Sequence, residues 1–475
     1  MIPFKKLLLL SLLLITMISQ NGFSQKHRLL VLTDIEADPD DAQTLVRLLL
    51  YSNEIDIEGL IATTSVHQKA RVAPESIKAI LDAYGKVHGN LMLHNKNFPP
   101  KEDLLSLVKQ GLPNYGMEGV GKGNDSEGSD YLIEVLERKD PRPLYVSVWG
   151  GPNTLAQALY KIREIKSKKE MGRLLSKLRV YTISDQDDSA AWIRKEFPDL
   201  FYIVSPGNYF ESTWIAISRP VEGIDNQTIS NAWLVENIQQ DHGPLGVMYP
   251  DVAYGMEGDT PSWLSVIPNG LNNPEKPNWG SWGGRYELYI PDLGAKDFTG
   301  VPTLQETRPI WTNATDTFTP RVANTYGRSI TKHDSTFTDN KVTLWRWRDD
   351  IQNDFAARMD WTIKSYAEAN HPPIPALGHA EEITVKSGDI FGLDASGTTD
   401  PDGDSLSYWW FQYPEAGSYK EEIKFGLSEN LYFVHSIEAP EVSKPETAHF
   451  ILKVTDRGAP ALSRYKRVIV TILPK

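Results

Sequence analysis

The feature that most limits how this chain can fold is an alternation, starting at residue 28, of short apolar runs with amphipathic stretches. Residues 28–33 (RLLVLT) read as a buried strand. Residues 40–51 read as a helix with Leu45, Leu48 and Leu49 on one face, and 55–61 as the next strand. Residues 74–84 form a predicted helix, with Pro74 in its first turn and Gly85 just past its end. A strand at 144–149, a helix at 154–162, a strand at 178–184 and a helix opening at 189–195 continue the pattern. A β-α-β-α order predicts an α/β domain, a mostly parallel sheet with helices on both faces. In such sheets ligands bind beyond the carboxyl ends of the strands.

Residues 243–340 break the alternation. They are rich in Gly, Pro, Trp and Asn and read as long loops around a site. A helix at 350–369 then closes the first domain. After Asn370-His371-Pro372-Pro373 come short alternating strands at 382–386, 407–411, 449–454 and 467–472, the texture of an all-β sandwich. The expected domains are therefore 25–370 (α/β) and 371–475 (β-sandwich).

Residues 1–24 read as a cleaved signal peptide: Lys5 and Lys6, an apolar run from Leu7 to Met17, then small residues Gly22 and Ser24. The run is short of the ~20 residues a membrane span needs, so an uncleaved anchor is the lesser alternative. The chain has no cysteine, which excludes disulfides, thiolate-metal sites and a lipid anchored through cysteine. A periplasmic or secreted protein without a membrane anchor is expected. Loss of two lysines with the leader takes the formal net charge from −13 to −15, so nucleic acid is not an expected partner. The 13 Trp and 20 Tyr can stack on sugars, although ordinary packing explains such a composition as well. Oligomeric state is not readable.

Chemistry concentrates in Thr33-Asp34-Ile35-Glu36-Ala37-Asp38-Pro39-Asp40-Asp41-Ala42, directly after the first strand. Five carboxylates packed at one sheet end repel one another and are costly to desolvate. A hard divalent cation relieves both, and calcium suits flexible oxygen-ligand sites. Asp38-Pro39-Asp40-Asp41 is equally a good helix start, with a capping acid, a proline and acids facing the dipole. That reading leaves Asp34 and Glu36 unexplained.

These residues resemble the Asp-x-Asp-x-x-x-Asp-Asp signature of the nucleoside hydrolase superfamily. In one register Glu36 stands where the family has its catalytic aspartate; in the other Asp34 is that aspartate and two residues are inserted before Asp40-Asp41. Ala62-Thr63-Thr64-Ser65 is similar to the family's Ile-Thr-Thr stretch. Ser147 through Ala156, with Gly150-Gly151-Pro152-Asn153, is similar to its glycine-proline turn, one residue shorter. A closer resemblance, over almost the whole mature chain, is to the bacterial cellulose-binding (Sde182-like), nucleoside-hydrolase-like proteins. It rests on the acidic segment together with Ser184-Asp185-Gln186-Asp187-Asp188, Glu257-Gly258-Asp259-Thr260-Pro261-Ser262-Trp263, 279–286 (WGSWGGRY) and 354–358 (DFAAR). Glu36 departs from the small residue expected there.

The resemblance implies a nucleoside-hydrolase-like fold and a Ca2+ cofactor held by Asp34, Asp41, the Gly150 carbonyl and Asp259. It further implies Asp34 or Glu36 as the catalytic proton acceptor and Asp40 on a sugar hydroxyl. Asp259 is alternatively a helix-capping acid. Asp185, Asp187 and Asp188 follow a strand and either bind sugar hydroxyls or cap the next helix. Trp282 and Arg285, with Trp279, form either an aromatic-basic wall for substrate or loop packing. His67 is a candidate substrate contact or acid, and Asp241-His242 a weaker one.

Residues 393–397 (LDASG) and 400–404 (DPDGD) resemble turns of PKD-like and Ig-like modules. Asp400, Asp402 and Asp404 are either cation ligands there or a tight turn. At least one of Tyr408, Trp409 and Trp410 is expected in the core.

Two functional readings from different classes follow. One is a secreted calcium-dependent glycosidase of small sugars, oligosaccharides or polysaccharide fragments, with an extracellular nucleoside hydrolase as its variant. The other is a non-catalytic carbohydrate-binding accessory protein on an inactive hydrolase fold.

Overall fold

The computed structural model describes residues 26–206, 212–291, 301, 304–323, 329–331, 335–425 and 433–475. The expected leader, 1–24, lies outside the described residues.

The first apolar run forms β1 (His27–Thr33), followed by β2 (Ile55–Ala62), β3 (Val108–Gln110), β4 (Leu144–Val148), β5 (Leu178–Thr182) and β6 (Phe201–Val204). Two later strands, β7 (Tyr286–Tyr289) and β8 (Ile310–Asn313), complete one eight-stranded sheet in the order β3-β2-β1-β4-β5-β6-β8-β7. Neighbours are parallel except β7, which runs antiparallel to β8 at the edge. Successive side chains of β1 enter different cores, as period-two alternation requires. Leu29 and Val31 pack with helices Asp40–Leu49 and Pro74–His94. Leu30 and Leu32 pack with Glu127–Glu137 and Asn153–Ile165 on the other face. The chain moves outward from β1 through β2 to β3, then returns to β4 on the other side of β1. The carboxyl ends of β1 and β4 therefore flank the switch point where a crevice opens.

Three expectations need correction. Gly85 does not end its helix, which runs on to His94. Ile77, Leu81, Tyr84, Val87 and Leu91 continue one buried stripe past it, and that burial outweighs the ~1 kcal/mol a mid-helix glycine costs. The helix expected at 350–369 spans Arg348–Asp360, and a separate short turn, Tyr366–Glu368, follows with Ser365 and Glu368 capping each other. The segment 243–340 is not only loops: it supplies β7 and β8. It also holds β9 (Asp316–Phe318), β10 (Arg321–Ala323), β11 (Ser329–Thr331) and β12 (Phe337–Asp339), paired β12-β9 and β10-β11.

The C-terminal region is all β: β13 (Glu382–Lys386), β14 (Ile390–Asp394), β15 (Ser407–Gln412), β16 (Val434–Glu438), β17 (Glu446–Thr455) and β18 (Ser463–Leu473). A four-stranded sheet, β13-β18-β17-β15, faces the pair β14-β16 across a core of Phe391, Leu393, Trp410, Phe450, Leu452 and Val470. Its opposite face is covered in part by the first domain, while Glu382, Thr384 and Lys386 of β13 are exposed. Tyr413, Ile451 and Tyr465 join the hydrophobic core of the first domain.

Candidate functional site

The acidic segment leaves β1 through a tight turn in which Ala37 N–H donates to the Asp34 carbonyl at 2.9 Å. Glu36 adopts φ +81° at its third position, a conformation that favours small residues. That backbone turns Glu36 outward, where it pairs with Arg71 and Ser76 on the surface. Asp38 then accepts the Asp40 N–H at 2.9 Å, and the helix begins with Asp40 and Asp41 in its first turn. Both are 3 % exposed, as is Asp34. Thr33 Oγ1 donates to Asp41.

The fourth acid arrives from far along the chain. Arg47, Tyr249 and Thr260 converge on the buried Glu257 carboxylate, at 2.9, 2.8 and 2.9 Å, while Glu257 N–H donates to Gln43 at 2.9 Å. This network anchors the loop that carries Asp259. Gly258 is needed beside it: a Cβ there would fall 1.8 Å from Trp214 Nε1. The same indole N–H donates to Asp40 at 2.8 Å, so Trp214 ties the Asp259 loop to the helix start.

Asp40, Asp41 and Asp259 each offer an oxygen within 4.8 Å of the others, the one such trio of acids and histidines among the described residues. Burial, then the other carboxylates, pushes Asp41 and Asp259 well above the usual range. Asp40 rises similarly, through burial and Asp38. Burial also pushes Asp34 up to about 6, against a hydrogen bond from Ser65. The Asp34 carboxylate lies against Gly150, where a Cβ would fall 2.6 Å from Oδ1. Thus the glycine-proline turn abuts the acids, and what is seen at Gly150 is this close approach. No lysine or arginine is among the groups acting most strongly on the four acids. An all-oxygen, anionic, buried donor set of this kind fits a hard divalent cation.

The acids open on a cavity of about 420 Å³ whose other walls include His67, Trp149, Gln186, Trp214 and Tyr254. Tyr254, 74 % exposed, also borders an adjoining cavity of about 630 Å³.

Several candidates lie elsewhere. Glu36 is outside the cluster, as above. Asp185 forms a two-bonded ion pair with Arg194, at 2.8 and 2.6 Å. Asp187 caps the next helix through Ser189 N–H at 2.8 Å, and Asp188 accepts the Met117 N–H; of that run Gln186 reaches the cavity. Trp282 is fully buried against Tyr465, and Trp279 meets His449 edge-on, both at the interface with the C-terminal sheet. Arg285 is paired with Asp316 at 2.6 Å. His242 contacts Asp360, away from the cavity. Trp214 and Tyr254 were not foreseen from sequence: neither sits in a motif, and only folding brings them to the strand ends.

Residues 28–286 match the model of the family described as "Cellulose-binding Sde182, nucleoside hydrolase-like domain", and 390–472 match that of the "Cellulose-binding protein Sde0182, C-terminal domain". Among solved structures, the chain is similar to a nucleoside hydrolase-related hypothetical protein from Saccharophagus degradans that is associated with carbohydrate metabolism. That likeness has 34 % identity and TM-score 0.80 over 94 % of this chain and 100 % of that one. The type III effector XopQ, solved with adenosine diphosphate ribose, aligns at 13 % identity and TM-score 0.31 over 61 % of this chain and 88 % of its own, too distant to carry an argument. No curated protein matches.

Proposed function

Since the chain belongs to the cellulose-binding Sde182, nucleoside hydrolase-like family, we propose that it is an exported, calcium-dependent glycosidase acting on glycan fragments. The observation that carries this reading is the group of four buried acids lining a cavity that Trp149, Trp214 and Tyr254 also line, with no lysine or arginine among the groups acting most strongly on them. Asp34, Asp41 and Asp259 would hold the cation, with Gly150 beside Asp34. When bound, calcium would acidify a water and orient sugar hydroxyls.

The protein's own residues supply the rest. Asp34 stands at the strand end among the acids, and in the ionised site it takes the proton of the attacking water. Glu36 has no part in this chemistry, because its backbone directs it away. Asp40, oriented by the Trp214 indole, accepts a sugar hydroxyl. As the bond between the anomeric carbon and the leaving oxygen breaks, the sugar gains oxocarbenium character, which the surrounding carboxylates stabilise. His67, on the cavity wall, protonates the leaving oxygen in this reading. Trp149, Trp214 and Tyr254 give faces for sugar rings. Tyr254 also leads into the adjoining cavity, which favours a chain of sugars over a single nucleoside.

Hydrolysis assays on a glycan-fragment panel and on nucleosides, with and without a calcium chelator, test the proposal. Chelator-sensitive release of reducing sugar is expected. Retained glycan affinity with no turnover on any substrate would instead support the carbohydrate-binding accessory role. Cleavage confined to nucleosides would make it an N-ribosyl hydrolase.

A further inference from the structure

Away from the sheet-edge acids, a separate cavity of about 110 Å³ lies in the joint between the two domains, and both contribute walls. Period-two alternation on β15 explains the side given by the β-sandwich. Trp410 enters the sandwich core, so Trp409 and Phe411 face the other way, where Phe411 packs against Trp347. β15 is an edge strand of its sheet. Trp409 stays partly exposed on the cavity wall, with Lys453, its cross-strand neighbour, on the same wall. The first domain supplies Phe318, at the end of β9, and Trp345, with ring centres 5.8 Å apart and edge-on. Arg346 follows, its guanidinium 4.8 Å over the Phe318 ring.

The Arg346 side chain is 5 % exposed. Its Nη1 donates to Asp316 at 3.1 Å, but Nε is buried with no acceptor. A buried donor left so costs about 1–3 kcal/mol. Three cations, Arg346, Arg348 and Lys453, and three acids, Asp225, Asp349 and Asp350, line the same space. Their charges balance, so the cavity does not select an ion. Lys453 is held by the buried Asp350 at 2.6 Å, whereas Asp225 and Asp349 are exposed. Aromatic faces beside hydrogen-bonding groups of both senses suit a molecule with apolar C–H faces and a rim of hydroxyls. A pyranose with equatorial hydroxyls is such a molecule. Water would satisfy the polar groups but leave the aromatic faces wet.

We infer that the joint is a glycan-binding site separate from the sheet-edge crevice, taking one neutral sugar unit of a longer chain. The sugar stacks on Trp409, and its hydroxyls meet Arg346 and Asp349. A cavity of this volume admits part of a ring, so the rest of the glycan lies outside it. Because both domains line the cavity, a bound sugar holds them together. The assignment does not rest on the hydrolysis proposed at the sheet edge.

Calorimetric titration of the full chain with cellohexaose, a neutral β-linked glucose hexamer, tests this, with Asp34→Asn present throughout to keep the probe intact. Two sites are expected, and Trp409→Ala should weaken one of them by about tenfold or more. Asp349→Asn, at an exposed position, should weaken the same site several-fold; it decides if a lowered melting temperature shows that Trp409→Ala disturbs the packing. A single site that Trp409→Ala abolishes would uphold the inference and remove the sheet-edge crevice as a glycan site. No binding, or binding that neither substitution changes, overturns it. Tighter binding of a galacturonate hexamer than of cellohexaose also overturns it, since the ligand would then be an anion.

Discussion

Two groups of buried aspartates, one at the sheet edge and one at the domain interface, are alike in residue type and burial and opposite in partners. Asp34, Asp40, Asp41 and Asp259 at the edge, and Asp316, Asp350 and Asp354 at the interface, are all 7 % exposed or less. At the interface each acid meets protein cations and a tyrosine. Asp354 receives Arg464, Arg358 and Tyr51 at 2.5, 2.9 and 2.7 Å. Asp350 receives Lys453 at 2.6 Å together with Tyr465, and Asp316 receives Arg285 and Arg346 at 2.6 and 3.1 Å together with Tyr413. Beyond the strand ends the acids receive neutral donors, Thr33, Ser65 and Trp214, and no lysine or arginine is among the groups acting most strongly on them. Burial would raise the Asp354 pKa, but the two guanidinium groups hold it at about 2, whereas Asp34 is pushed up to about 6. The fold can neutralise buried carboxylates, and does so where they serve packing. The four acids beside the cavity have no lysine or arginine among the groups acting most strongly on them, the contrast on which the proposed cation site rests.

The contrast can be broken or sharpened by experiment. The largest effect should come from Asp41→Ala, which ought to remove the sheet-edge calcium and reduce turnover by more than the ~10–100-fold typical of groups behind metal ligands. Metal analysis with a kinetic assay reads both, and unchanged activity would end the comparison. Next, Asp354→Asn leaves Arg358 and Arg464 buried against a neutral group. It should cost about 3–5 kcal/mol in urea unfolding while leaving turnover per folded molecule unchanged. Calcium at ~100 times its dissociation constant should stabilise the stripped chain by about 2.7 kcal/mol per occupied site, seen as a rise in melting temperature.

The pH dependences should have opposite signs. In the metal-free chain the raised Asp34 pKa favours folding below the ordinary 3.8, and that contribution is lost as pH rises through about 6. The depressed Asp354 pKa contributes above 3.8, and its share is lost as pH falls toward about 2. Each amounts to roughly 2–3 kcal/mol, measurable by denaturation across pH with and without calcium. The smallest effect should be that of Glu36→Gln, which removes a surface ion pair with Arg71 worth less than ~1 kcal/mol and should leave turnover as it was. A large loss of activity there would restore Glu36 to the chemistry.

The clustering of Asp34, Asp40 and Asp41 was readable because they lie within one short segment after a strand, and strand ends are where α/β sheets bind ligands. Asp259 was readable through a motif. Trp282 and Arg285 were misplaced because an aromatic-basic loop looks the same whether it faces a sugar or another sheet. Only the docked β-sandwich, with Tyr465 against Trp282, settles that choice. Glu36 was readable as an acid but not as an outward one, since the sign of φ at one turn decides its direction.

Local composition and period thus determined the alternating α/β domain, the β-sandwich and the presence of an acidic cluster, because strand and helix periodicities and strand-end chemistry are properties of short segments. Tertiary structure alone decided which acids share a cavity, that Trp214 joins the Asp259 loop to Asp40, that Gly85 lies inside a helix and that the two domains share a core. Those outcomes depend on contacts between residues far apart in sequence, such as Trp214 with Asp40, whose energies no local pattern encodes.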